Sequence, residues 1–391
     1  MKMNQWTLGL AALGLVSLTS AQAEEAKLVP LETALSATTI SGYVDTSAAW
    51  NPGTGNANPA PFAFNSPSKQ DGFNLDLVDL KLEKLIDPNV PWSAGYTVEG
   101  LFGPDADAVT GTDAQYLRQA YVDLSAPIGN VPDVKIGRFD TVVGYEVTDA
   151  YKNPNFTRSY GYSLEPTEHT GVLAHYKVAE FLDVQAGVAD RATTGAGIND
   201  RSPRAESHKA YLGLITLTAP DSWGFLAKDT LYGGIDYGSG ANNVDRTHIY
   251  TGVNINTPLK DLVFGAAYDS IFHTDVNGAD YGYSAALAGY ASYKLTEKLT
   301  TSVRLEYAQG AALGALAQAN AGIDPDGQSD FHKVMALTGT ISYDLWANVL
   351  TRLEVRWDHA LDHSTPFGGE TAGVGSDNNA IVIAANVVYK F

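Results

Sequence analysis

The sequence has no cysteine, and beyond Ala23 it has no apolar run as long as the roughly 20 residues that a membrane-spanning helix needs. The missing cysteine excludes a disulfide framework, a thiolate metal site and a lipid-modified cysteine as a membrane anchor. The mean hydropathy is slightly negative, at −0.11. A transmembrane β-barrel also has this property, because each of its strands is apolar on one face only.

Basic residues are few, since 25 lysines and arginines stand against 44 acidic residues and give a formal net charge of −19. This balance argues against nucleic acid as a partner, because the phosphates would be repelled. Glycine and tyrosine are plentiful, with 38 and 21 residues, in a chain that is 45% apolar. Such a composition favours a turn-rich all-β protein over an α/β enzyme.

The N-terminus has the pattern of a secretory signal peptide. Lys2 precedes an apolar stretch from Leu8 to Leu18, and Ala21-Gln22-Ala23 then supplies the small residues of a cleavage site. A transmembrane anchor is the alternative, but the apolar stretch is about half the length that a spanning helix needs. We expect a signal peptide at 1–23, a short periplasmic segment at 24–37 and a β-barrel at 38–391.

Short runs with alternating apolar residues recur along the chain and predict antiparallel strands. We expect sixteen of them, an even number within the range of bacterial single-chain barrels. In the second run the apolar phase changes between Leu77 and Val78, which predicts a β-bulge. The predicted strands cover residues 38–50, 72–84, 92–102, 113–125, 131–140, 166–178, 181–191, 206–219, 228–238, 246–257, 260–270, 281–293, 297–309, 331–344, 348–359 and 380–391.

The connections between these strands alternate in length. Those after odd-numbered strands are mostly long and rich in glycine, asparagine, aspartate and proline, as at 51–71, 141–165 and 360–379. Those after even-numbered strands are tight turns, such as Ala179-Glu180 and Leu295-Thr296. Long loops at one rim and short turns at the other predict an up-and-down transmembrane barrel with extracellular loops and periplasmic turns.

The last predicted strand has one wholly apolar face that ends on an aromatic residue. Because side chains alternate across a strand, Tyr389 and Phe391 share this face with Ile381 and Ile383. The ending resembles the closing strand of Gram-negative outer-membrane barrels, in which the terminal aromatic is part of the signal read by the barrel assembly machinery. The resemblance implies that Tyr389 and Phe391 form an assembly signal and that outer-membrane lipid surrounds the barrel.

The opposite face of several strands is charged. Arg352, Glu354 and Arg356 alternate with apolar residues on one strand, and Arg304 and Glu306 do so on another. Paired charges in the packed core of a soluble barrel would be costly, so this pattern favours a water-filled lumen. A barrel of about sixteen strands is wide enough to enclose one. The alternative is the solvated face of an ordinary antiparallel sheet.

The segment from Lys135 to Leu173 carries a series of short motifs. In chain order they are Gly137-Arg138-Phe139, Gly144-Tyr145-Glu146, Asn153-Pro154-Asn155, Arg158-Ser159 and His169-Thr170-Gly171. This segment resembles the corresponding part of the OmpL-like beta-barrel porin family, as does Ser41-Gly42-Tyr43-Val44-Asp45 in the first strand. The resemblance implies an outer-membrane porin and carries no information on the solute.

The loop at 141–165 is the third long loop, and its length calls for a functional reason. In porins the third loop folds into the barrel and narrows it, so the resemblance implies a constriction here. In the alternative, the loop lies over the mouth of the barrel, with Lys152 and Arg158 offsetting its acidic residues.

We expect charges of opposite sign to face each other at this constriction. The loop supplies acidic residues and the far wall supplies arginines. Across a narrow aqueous gap they would set up a field that orients polar solutes and penalises apolar ones. The predicted constriction residues are Glu146, Asp149, Arg304, Arg352 and Arg356.

Other chemistry has little support. The eight histidines are scattered, and no nucleophile or metalloprotease motif accompanies them, so we expect neither an enzyme nor a cofactor. Asp324, Asp326 and Asp330 offer the oxygen ligands that Ca²⁺ prefers. Asp-Gly is also a common turn former, and a turn without metal is the favoured interpretation of this cluster.

The sequence therefore predicts a porin, a passive channel for small hydrophilic solutes and ions. Porins of this size usually form trimers, so a homotrimer is the expected assembly. The alternative is a plugged outer-membrane barrel that acts as a surface binding or structural protein through its long loops. A measurement of conductance in a planar bilayer distinguishes the two.

Overall fold

The computed structural model describes residues 37–391 except for 54, 88, 91, 111–115, 128–132, 193–197, 200, 202–207, 240–244, 260, 275–279 and 311–332. The predicted signal peptide, and the predicted periplasmic segment except for its last residue, lie outside the described residues. Within them, none of the helices has the length and apolar character needed to cross a membrane.

The described residues form sixteen β-strands, each antiparallel to its neighbours, in a closed barrel that follows chain order. Pairing of the first strand with the last closes the barrel and sets Tyr43 opposite Lys390. The predicted up-and-down barrel is confirmed, and the strand bounds differ from the predicted ones by at most four residues. The strands are β1 Thr39–Trp50, β2 Gly72–Lys84, β3 Ser93–Phe102, β4 Leu117–Ser125, β5 Asp133–Asp140, β6 Glu168–Ala179, β7 Leu182–Ala189, β8 Ala210–Thr218, β9 Thr230–Ser239, β10 Asp245–Asn256, β11 Leu262–Thr274, β12 Asp280–Lys294, β13 Leu299–Gly310, β14 Lys333–Trp346, β15 Val349–Ala360 and β16 Asn379–Lys390.

Side chains alternate between an apolar outer surface and a polar interior. On the outside, the side chains of Leu305 and Leu353 are more than half exposed, at 54% and 52%. Their neighbours on the inside, Arg304 and Glu354, are buried. An outer wall covered with exposed aliphatic residues is the surface that a barrel presents to lipid.

A β-bulge interrupts the pairing of β1 with β2. Asp45 lies opposite Leu77 and Thr46 lies opposite Leu75, so Asp76 has no partner residue on β1. Asp76 and Leu77 are both buried, which explains why the apolar phase changes at this point. The bulge predicted at Leu77 and Val78 is therefore present one residue earlier.

The longest connections follow odd-numbered strands, as the sequence predicts, but several connections do not fit the alternation: eight residues separate β2 from β3, and five separate β9 from β10. The periplasmic connection at 219–229 is longer than a tight turn and contains the 3-10 helix Asp221–Leu226. Trp223 and Phe225 in it are strongly exposed, as are the aromatic residues that barrels place at the membrane interface. On the extracellular side, α1, Pro104–Thr110, follows β3, and α2, Tyr160–Leu164, lies between β5 and β6.

The first and last extracellular loops are joined to each other. The side-chain amide of Asn58 donates to the carbonyl oxygens of Gly368, Thr371 and Val374 at 2.6, 3.0 and 3.1 Å. Its side-chain oxygen accepts from the amide of Gly373 at 2.7 Å. This single buried side chain therefore ties together both loops beside the β1–β16 seam.

Candidate functional site

The connection between β5 and β6, residues 141–167, turns into the barrel, and we call it the inner loop. Its helix α2 follows Ser159, whose hydroxyl accepts a hydrogen bond from the amide of Tyr162 at 3.1 Å. Tyr160 at the start of α2 is fully buried, and its hydroxyl donates to Asp358 of β15 at 2.8 Å. The inner loop thus lies inside the barrel, against the wall formed by β12–β15.

Acidic side chains of this wall bind the backbone of the inner loop. Glu354 accepts hydrogen bonds from the amides of Phe156 and Thr157 at 2.6 and 2.8 Å, one on each carboxylate oxygen. Glu306 accepts one from the amide of Tyr160 at 2.7 Å. A loop buried in the lumen has backbone groups that cannot reach bulk water, so these carboxylates satisfy donors that would otherwise be orphaned.

Arginines of the same wall bind the loop carbonyls. Arg356 donates to the carbonyl oxygen of Arg158 at 2.6 Å, and Arg352 donates to those of Ala150 and Asn155 at 3.0 and 3.1 Å. The guanidinium of Arg356 also lies 4.0 Å from the ring centroid of Phe62, a residue of the first extracellular loop. Both arginines are therefore covered by loop residues.

Arg304 joins the wall to an acidic side chain of the loop. It forms an ion pair with Glu146 at 2.8 Å and donates to the carbonyl oxygen of Thr157 at 2.6 Å. The other carboxylate oxygen of Glu146 accepts from the amide of Ser159 at 2.8 Å. Glu146 also accepts from the hydroxyl of Tyr290 at 3.2 Å. The pair is closed on every side by the loop and the wall.

These contacts differ from the expected arrangement of charges. Glu146 and Arg304 were expected to face each other across water, whereas their side chains are in contact and excluded from solvent. Arg352 and Arg356 are buried too. The physical reason is that the loop backbone offers several carbonyl oxygens to the inward-pointing arginines, which bind these oxygens in place of water, although Nη2 of Arg352 has no hydrogen-bond partner in the described structure.

An open cavity of about 490 Å³ lies on the other side of the inner loop, between it and the wall formed by β1–β7. Asp149, Tyr151 and Lys152 line it from the loop. Charged side chains of both signs line it. They are Asp79, Lys81, Glu83, Glu99, Lys135, Asp140, Asp149, Lys152 and Lys390.

Asp149, which lines this cavity, is paired with the buried Arg118. Arg118 of β4 forms ion pairs with Asp149, Glu99 and Asp140 at 2.6, 2.8 and 2.7 Å. Lys152 pairs with the second oxygen of Asp149 at 2.5 Å. Burial alone would raise the pKa of Asp149, but Arg118 and Lys152 together hold that pKa below its ordinary value. Asp149 is thus the predicted constriction residue that faces the open cavity.

The residues of the predicted assembly signal lie at the seam of the barrel. Tyr389 and Phe391 are both half-exposed on the outer face, with ring centroids 6.5 Å apart. The amide of Phe391 donates to the carbonyl of Gly42 at 3.0 Å, and the amide of Gly42 donates back at 3.1 Å. The terminal residue therefore extends the pairing of β1 with β16, and its recognition during assembly stays a prediction.

The predicted calcium ligands Asp324, Asp326 and Asp330 lie outside the described residues. Arg118 was not predicted from the sequence, and Glu306 and Glu354 were predicted to lie in the lumen without a role there. The period-two pattern of charges was the signal for the two glutamates. No local signal marks Arg118, because its partners belong to β3, β5 and the inner loop.

A family model described as "Putative beta-barrel porin-2, OmpL-like" matches residues 37–391. A comparison with curated protein sequences finds no match. Among solved structures, the chain is similar to the anion-selective porin from Comamonas acidovorans, at 13% identity and a TM-score of 0.60, over 90% of this chain and 99% of that one.

Two further solved structures have the same architecture. OprB of Pseudomonas putida matches at 12% identity and a TM-score of 0.58, over 93% of this chain and 96% of that one. The trimer form of in-vitro folded OmpT, an outer membrane protein of Vibrio cholerae, matches at 13% identity and a TM-score of 0.53, over 90% of this chain and 99% of that one. At such low identity, the likeness to these structures shows the fold alone.

Proposed function

Because the chain belongs to the OmpL-like beta-barrel porin-2 family and is an outer-membrane porin of a Gram-negative cell, we propose that it is a passive diffusion channel for small hydrophilic solutes and ions. The inner loop forms its constriction. The observation that supports this is the position of the loop, which is bound to β12–β15 and leaves a cavity open along β1–β7, and this cavity is the passage we propose. A porin has no catalytic step, so the family also supports a non-enzymatic role.

The lining of the passage favours polar solutes. Carboxylates and ammonium groups stand around the same cavity, among them Asp149 and Lys152 on the loop and Lys81 and Lys135 on the wall. Charges of both signs around a narrow aqueous space orient dipolar molecules, and they make the transfer of apolar ones unfavourable. The substrate class we propose is therefore small, hydrophilic and either charged or zwitterionic.

Conductance in a planar bilayer tests the channel, and cysteine substitution tests the route. The chain has no cysteine, so a single introduced thiol can be modified selectively. We expect the wild type to conduct and Lys152→Cys to lose most of its conductance on treatment with a bulky, charged thiol reagent. Thr338→Cys is the control, because Thr338 is fully buried between the wall and the loop.

The outcomes separate the two candidate functions. A plugged barrel that acts through its surface loops would give no conductance in the wild type. A channel that conducts by another route would leave Lys152→Cys unaffected by the reagent, or would block Thr338→Cys equally. Either result would overturn the proposed passage.

We also propose that the chain forms a homotrimer in outer-membrane lipid after insertion by the barrel assembly machinery. The solved trimer form of OmpT, which has the same fold, supports this assembly. The terminal aromatic residues at the β1–β16 seam support the assembly signal. Native mass spectrometry of protein extracted in mild detergent tests the trimer, and a single-chain mass would contradict it.

A further inference from the structure

We propose that Asp79 of β2, Glu99 of β3 and Asp149 of the inner loop form a binding site for a divalent cation. One carboxylate oxygen from each residue lies within 4.8 Å of the others. Oxygen ligands about 2.4 Å from a central calcium ion lie up to about 5 Å apart, so one ion can contact all three carboxylates. In the described part of the chain this is the group of acidic residues that meets the spacing of a metal site.

Asp79 supplies the observation that points to a ligand. The residue is 3% exposed and its Oδ2 atom has no hydrogen-bond donor in the described structure, while the polar group beside it is another carboxylate, that of Glu99. Glu99 and Asp149 differ, because Arg118 and Gln119 bind the oxygens of Glu99 and Arg118 and Lys152 bind those of Asp149. A buried carboxylate oxygen without a donor or a cation is costly, and a bound ion would satisfy it.

The charge balance of the cluster leaves room for a cation. Asp79 and the three acidic partners of Arg118 make four carboxylates, and the basic groups in direct contact with them are Arg118 and Lys152. The nearby Lys81 is already paired with Glu83 at 2.6 Å. Four carboxylates against two basic groups leave two negative charges, which one divalent cation would neutralise.

The surroundings favour calcium over magnesium. All three carboxylates line the 490 Å³ cavity, so water can complete the coordination shell from the open side. Calcium accepts irregular sets of about six to eight oxygens, whereas magnesium demands near-octahedral geometry at about 2.1 Å. A site with protein ligands on one side, fixed by two strands and a loop, is of the irregular kind.

Calcium binding is measured directly by isothermal titration calorimetry of the folded, EDTA-treated porin in detergent. We expect the wild type to bind one more ion per chain than Asp79→Asn, or to bind at least about tenfold more tightly. The double variant Lys81→Gln/Glu83→Gln is the matched control, because it removes a carboxylate of the same strand and cavity together with its paired lysine, so that no cation is freed beside the site. It should bind as the wild type does. Heat-modifiable gel mobility checks that each variant is folded, and Glu99→Gln replaces Asp79→Asn if the latter is not.

Asp324, Asp326 and Asp330 are the calcium candidates named from the sequence, so their triple replacement by asparagine is titrated as well. The proposal requires that this variant keep the ion that Asp79→Asn loses. Equal binding by the wild type and Asp79→Asn would overturn it, and so would a wild type that binds no calcium.

An effect on ion flow follows, and it rests on the proposed passage. In a salt gradient, calcium should shift the reversal potential of the wild type toward anion preference and leave that of Asp79→Asn unchanged. If calcium binds but the potential does not move, the site stands and the passage lies elsewhere. If the wild type conducts but binds no calcium, the channel stands and the site does not.

Discussion

Arg304 of β13 and Glu146 of the inner loop form an ion pair at 2.8 Å in which both side chains are excluded from solvent. Arg304 is also paired with Glu306 at 2.7 Å, so one guanidinium holds a carboxylate from the wall and one from the loop. A buried pair of this kind adds little net stability, but the loss of one partner leaves an uncompensated charge. The position of the inner loop therefore depends on Arg304.

Replacing Arg304 should release the inner loop. Arg304→Met leaves Glu146 buried without its cation and leaves Glu306 with Arg356 alone, at 3.5 Å, and breaking such a pair costs about 3–5 kcal/mol. We expect a lower urea midpoint in detergent and larger fluctuations of the open-channel current. Lys298→Met, an exposed change in a periplasmic turn, is the control and should alter the free energy of unfolding by less than about 0.5 kcal/mol. Equal current noise in both variants would mean that Arg304 does not hold the loop.

Deleting Phe391 should impair assembly. The deletion removes the two backbone hydrogen bonds with Gly42 at the barrel seam and an aromatic side chain on the lipid-facing surface. We expect less heat-modifiable protein in outer-membrane fractions. Phe391→Tyr keeps both the backbone bonds and an aromatic ring, so it should assemble at nearly the normal level. Normal amounts of the deletion variant would show that the last residue has no role in the process.

The strands could be predicted because each carries its own evidence. A strand that faces lipid on one side and the lumen on the other alternates with period two, as Leu353 and Glu354 do, and no distant residue is needed to recognise it. The resemblance of the segment from Lys135 to Leu173 to the family is confirmed by a match over residues 37–391. The inner loop was identified by its length and by this resemblance.

The contacts of the inner loop could not be predicted in this way. Alternation shows that Arg304 points inward, but it does not show what lies opposite. The partners of Arg304 include the backbone of Thr157, and a backbone carbonyl has no sequence signature. Whether Asp149 faces water or Arg118 likewise depends on which wall the loop lies against, a choice set by contacts between distant parts of the chain.

Asp105 of α1 should make stability depend on pH. Burial, opposed by its partner Lys69 and reinforced by Asp76, raises the pKa of Asp105 to about 6, and Arg158 is the other charged group near it. The folded state then holds the proton more tightly than the unfolded chain does. Below pH 4, Asp105 therefore stabilises the folded state by about 3 kcal/mol, and this stabilisation is lost as the pH rises to about 6.

Urea unfolding of the wild type and Asp105→Asn from pH 4 to pH 7 measures this effect. The free energy of unfolding of the wild type, relative to that of Asp105→Asn, should fall as the pH rises from 4 to about 6 and stay constant from there to pH 7. Asp107→Asn, at an exposed position of the same helix, is the control. A constant difference between the wild type and Asp105→Asn would show that Asp105 does not take up a proton in this range.

Ion selectivity should depend on Asp149 and not on Glu146. Asp149 lines the open cavity, whereas Glu146 lies beneath the loop against Arg304. Asp149→Asn leaves Arg118 and Lys152 less compensated beside the passage. A unit charge acts on an ion about 4 Å away with about 1 kcal/mol in water, so the anion-to-cation permeability ratio should rise by up to about fivefold. Glu146→Gln keeps the shape of a side chain that does not line the cavity, and Arg304 keeps Glu306 as its partner, so the ratio should stay unchanged. Reversal potentials across a salt gradient, measured with EDTA present to remove calcium, give both values.

If Glu146→Gln shifts the potential as much as Asp149→Asn does, ions pass between the loop and the β12–β15 wall, and the cavity along β1–β7 is not their route.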